Sequence, residues 1–81
     1  MIPTDIADQA RAVRFAAREL ATEHGFSQPC PAVAGSLAGA RFITKPIGPE
    51  LASLLESYPV TEWVDQHWSE ILTRAGVGGA A

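Results

Sequence analysis

Apolar positions along this chain recur with a helical period in four stretches, and nowhere with the alternation of a half-buried strand. Between Thr4 and His24, Ile6, Val13 and Leu20 stand seven residues apart, and Ala10, Ala16 and Ala17 fill in around them. This spacing predicts a first helix with one apolar stripe. Thr4 or Asp5 supplies its N-cap after Pro3, and Asp5 and Asp8 place negative charge at the positive end of its dipole. Gly25 suits the position just past its end, with Phe26 folding back over the last turn.

Gly25 to Pro31 reads as a tight connection stiffened by Pro29 and Pro31. A second helix is expected over Ala32 to Phe42, with Val33, Leu37 and Ala40 on one stripe. Gly35 and Gly39 each weaken it by roughly 1 kcal/mol relative to alanine. They also form a row of small residues along which another helix can approach closely. Phe42-Ile43-Thr44 either finishes this helix or runs extended toward Pro46. Pro49 opens a third helix, with Leu51, Leu54, Leu55 and Tyr58 at helical spacing, and Pro59 ends it. Thr61 is the expected N-cap of a fourth, with Glu62 and Asp65 in its first turn and Val64, Trp68, Ile71, Leu72 and Ala75 as its buried stripe. Gly76 stops it. The expected fold class is all-α: a small, irregular three- to four-helix bundle closed by Trp68. Residues 1–76 form one domain and 77–81 a flexible tail.

Length, composition and charge sharpen this picture. At 81 residues a single core gives only about 3–5 kcal/mol of net stability. Much of the 47% hydrophobic content is alanine, so the core is thin and association with a partner is expected. The net charge of −3 argues against a general nucleic-acid binder, which is usually basic. The single cysteine, Cys30, excludes an internal disulfide and a cysteine-based zinc cluster, and fits an intracellular, cytoplasmic setting. The first residues lack the pattern of a signal peptide. The longest uncharged run, Gly25 to Ala40, is too short and too broken by proline and glycine to span a membrane.

Candidate chemistry centres on the first helix. Arg11, Arg14 and Arg18 fall within one narrow arc opposite the apolar stripe, with Phe15 beside them. Asp8 can pair with Arg11, and Glu62 and Asp65 of the fourth helix are further acids for this stripe. Charged helix faces are commonly just solvated. A phenylalanine among the arginines instead suits a protein-binding surface, where arginine and aromatics are enriched. Trp63 lies roughly 120° from its helix's core stripe. It is either half-buried at the bundle edge or a second partner anchor.

Other constellations are sparse. His67 and Glu70 share a helix face, but two residues do not make a metal site. His24 has no ligand-spaced partner in sequence and suits a helix C-terminus, so no metal centre is expected. Cys30 has no adjacent base, no glycine-rich phosphate loop is present, and Glu19/Glu23 read as a solvated face. No catalytic residue and no cofactor are expected. The stretch from Glu19 to Ser27 resembles the first helix and turn of a helix-turn-helix motif. The residues that follow, Gln28-Pro29-Cys30-Pro31-Ala32-Val33-Ala34-Gly35, leave almost nothing to read a DNA groove. The expectation is a small non-enzymatic interaction module, an adaptor, assembly factor or inhibitor, using Arg11, Arg14, Phe15, Arg18 and Trp63. A helix-turn-helix regulator and a self-associating subunit are the alternatives.

Overall fold

The computed structural model describes residues 5–77. Among them are five helices: α1 (Ile6–Glu23), α2 (Cys30–Phe42), α3 (Pro49–Ser57), α4 (Thr61–Gln66) and α5 (Trp68–Ala75). The all-α expectation holds. Pro3, Thr4 and the tail beyond Val77 lie outside the described residues. Asp5 is the N-cap of α1, its carboxylate accepting from the Ala7 amide at 3.0 Å.

Three helices end alike. After α1, the Gly25 amide donates to the Thr22 carbonyl and the Phe26 amide to that of Ala21. The same pair of bonds closes α5 through Gly76 and Val77, and α2 through Thr44 and Lys45. This is the Schellman ending, which needs a left-handed residue just past the helix. Gly25 (φ 93) and Gly76 (φ 79) adopt it freely, whereas Thr44 (φ 53) does so against the steric cost of its Cβ. Phe42-Ile43-Thr44 is therefore not an extended piece: Phe42 closes α2 and a tight turn follows.

The core lies where α1 and α2 cross. Val13, Ala16, Ala17, Leu20 and Ala21 face Val33, Ala34, Leu37 and Ala38, and Val60, Val64 and Ile71 complete the buried cluster. The small-residue row of α2 does what its spacing suggests, within the domain. Gly35 and Gly39 are buried against α1, and a Cβ on Gly35 would lie 2.8 Å from the Arg14 carbonyl oxygen. Self-association through this row is thereby closed off, because α1 already occupies it.

Four expectations need correction. α2 begins at Cys30 rather than Ala32, so Pro31 lies inside it, and α4 has Val60 rather than Thr61 at its N-cap, with no side-chain cap. The fourth helix is two helices, broken at His67, whose φ of −108° and ψ of 16° depart from helical values. The break lets α4 pack on α2 while α5 packs along α1. Trp68 is also not the closing residue of the core. It is half-buried, with the Arg41 guanidinium 4.5 Å from its ring centroid, and the fully buried positions of this region are Val64 and Ile71. α3 contributes no buried residue; Leu51, Leu55 and Tyr58 rest half-covered on the core's edge and Leu54 is exposed. No described helix is long and apolar enough to cross a membrane.

Candidate functional site

α1 is flanked by α2 on one side and α5 on the other, which leaves one strip of its surface open. Its α5 side is held by charge. Arg74 donates to both carboxylate oxygens of Glu23, at 2.5 and 2.8 Å, and stands 3.6 Å from Glu19. This clasp holds the Glu23 carboxyl below the usual glutamate range and raises the Arg74 pKa further. Glu19 and Glu23 are therefore not a merely solvated face.

The open strip carries the four predicted residues. Phe15 is 51% exposed, and the Arg18 guanidinium approaches its ring centroid to 5.9 Å. Arg11 pairs with Asp8 at 3.6 Å across an exposed turn. Among the described residues, Arg14 and Arg18 make no ion pair. Among the described residues neither Glu62 nor Asp65 pairs with this stripe, and Asp65 pairs instead with Arg41 of α2. The aliphatic stems of Arg14 and Arg18 lie over Gly35, so packing fixes where their heads emerge.

The strip is not one flat patch. Arg11 and Arg14 border a groove of about 700 Å³ between α1, α2 and the start of α3, with Ala10, Ile43, Lys45 and Leu51 in its walls. Phe15 and Arg18 border a shallower hollow with Glu19, Thr22 and Gln28. The two depressions share no lining residue: Arg14 borders the first and Phe15 the second.

Trp63 is elsewhere and is engaged. It is half-buried, stacked on His67 with ring centroids 4.8 Å apart, and edge-on to His24 and Phe26. Its indole N–H donates to His24 Nδ1 at 3.3 Å. This cluster is the constellation that the sequence conceals. His24 caps the end of α1, and the fold brings it beside His67, their ring centroids 4.9 Å apart. Glu70 joins them from the first turn of α5, and the ligand atoms of the three side chains lie within 4.8 Å of one another. The His67/Glu70 spacing was visible; the third member enters only through the docking of α1 against the α4–α5 junction.

Cys30 opens α2 as a partly buried free thiol. Among the described residues no polar or charged side chain is fully buried. The chain matches no protein-family model, no curated protein and no solved structure.

Proposed function

We propose that this domain is a non-enzymatic protein-interaction module, and that Arg11, Arg14, Phe15 and Arg18 form its partner-binding face. The observation that carries this reading is the exposure of Phe15 beside Arg14 and Arg18, which make no ion pair among the described residues. An exposed aromatic flanked by arginine is the composition of an interface hot spot. Arg14 and Lys45 border the apolar groove next to it, so the partner segment best suited here offers carboxylates alongside apolar side chains. The helix-turn-helix reading gains no support from α2, most of which is buried where a recognition helix must be open. Trp63 is held within the molecule, so the proposed face rests on α1.

The test is affinity capture with wild type, Phe15→Ala and Arg14→Glu, each shown to be folded by circular dichroism. Partners of the proposed face are captured by wild type and lost by both variants. If every captured protein binds all three chains equally, this face is the wrong one.

A further inference from the structure

The clustering of His24, His67 and Glu70 is separate from the α1 face and has its own chemistry. His67 Nδ1 lies 2.8 Å from the Trp63 carbonyl oxygen. A carbonyl only accepts, so in the neutral ring Nδ1 carries the proton and Nε2 keeps its lone pair. Metal-binding histidines are oriented in this way, with the far nitrogen tied to a backbone carbonyl. Glu70 adds an exposed carboxylate from the same helical turn, and His24 brings a second imidazole from α1. Nearby Arg74 is paired with Glu23 and Glu19, and Glu70 is a more distant charge acting on it.

We propose that His24, His67 and Glu70 bind one divalent transition-metal ion of the zinc class. Two imidazoles and a carboxylate match the three-ligand zinc sites that keep an open position. The set is too rich in nitrogen for magnesium or calcium, which take oxygen ligands, and lacks the thiolate that softer ions prefer. Binding has one necessary consequence at Trp63. If the ion takes Nδ1 of His24, the indole loses its acceptor. If it takes Nε2, the neutral ring must carry its proton on Nδ1, and the indole loses its acceptor again. At 3.3 Å and exposed, that bond is a weak one to give up. The ion would then tie the end of α1 to the α4–α5 junction, and so bind the folded chain in preference to the unfolded one.

The test titrates the full chain, carrying no affinity tag, with Zn²⁺ alone. Calorimetry reads stoichiometry, and the indole N–H resonances of Trp63 and Trp68 read place. The expected result is saturable binding of one equivalent, with the Trp63 resonance moving and that of Trp68 left in position. Even an outer-shell partner is worth about 10–100-fold in metal affinity, so His24→Gln and His67→Gln each weaken binding at least about tenfold. Glu70→Gln changes an exposed side chain and serves if a histidine variant loses its fold. Cys30→Ser leaves binding unchanged. Absence of saturable binding, binding untouched by the ligand variants, or binding that depends on Cys30 overturns the proposal. None of these results bears on the α1 face.

Discussion

The carbonyl oxygen of Arg14 stands 2.8 Å from the point where Gly35 would carry a Cβ. Real Cβ atoms do not sit so close to backbone, so alanine at this position must push α1 away from α2. Overpacking of this kind costs about 1–3 kcal/mol, more than the roughly 1 kcal/mol that alanine adds in helix propensity. Gly39 differs: a Cβ there meets the Ala10 carbonyl oxygen at an ordinary 3.5 Å. Gly35→Ala therefore lowers the urea midpoint, and Gly39→Ala raises it by up to the full propensity gain. Equal shifts in the same direction would show that the two helices do not touch along this row.

Thr44 occupies the left-handed position that glycine fills after α1 and α5. Thr44→Gly keeps the ending and removes the Cβ clash, offset in part by the greater freedom of glycine in the unfolded chain. The expected gain is about 0.5–1 kcal/mol, read from denaturant unfolding. Thr44→Val keeps the clash and loses the hydroxyl's bond to the Ile43 carbonyl, so it gains nothing.

Much of this fold was legible because its signals are local. The helix periods, the stop at Gly25 and the start at Pro49 each depend on a few neighbouring residues. The break at His67 was not, because it answers to tertiary packing: Val64 and Ile71 reach different neighbours only if the chain turns between them. The ending at Thr44 was obscured by a threonine standing in glycine's place. The arc of arginines was readable from α1 alone, whereas the pairing of Asp65 with Arg41, and not with Arg14 or Arg18, depended on how α4 docks on α2. The histidine cluster was the least legible feature, since His24 and Trp63 lie 39 positions apart.

Ile71 has no exposed surface, while Trp68 is half-covered. Truncating a fully buried isoleucine to alanine costs about 2–5 kcal/mol. That is comparable to the whole net stability of about 3–5 kcal/mol available to a domain of this size. Ile71→Ala is thus expected to be largely unfolded by near-ultraviolet circular dichroism. Trp68→Leu, which keeps an apolar cover, stays folded.

Glu23 makes stability depend on acid. Its carboxyl is held below the ordinary glutamate value of 4.5 by the Arg74 hydrogen bonds. The stabilisation is fully present above the unfolded value and is lost as pH falls through the lower folded one. The melting temperature therefore drops through the carboxylate range, and part of that drop disappears in Arg74→Met. The pair is exposed, so added salt shrinks the difference between the two proteins.

α3 buries no residue and packs on α2 alone among its larger helix contacts. Its amides are expected to exchange with solvent through local opening, faster than those of α1 and α2. Hydrogen exchange resolved by residue checks this, and equal protection across α1, α2 and α3 would refute it.

The clasp of Glu23 and Arg74 joins residues 51 positions apart, whereas α1 and α2 are neighbours along the chain. The first two helices can meet after closing one short loop, but the α5 side of α1 stays open until Ile71 arrives. A nascent or truncated chain that stops before Ile71 therefore shows water an incompletely covered core around Val13 and Leu20. Its exposure to aggregation or to chaperone capture is set by the timing of one eight-residue helix.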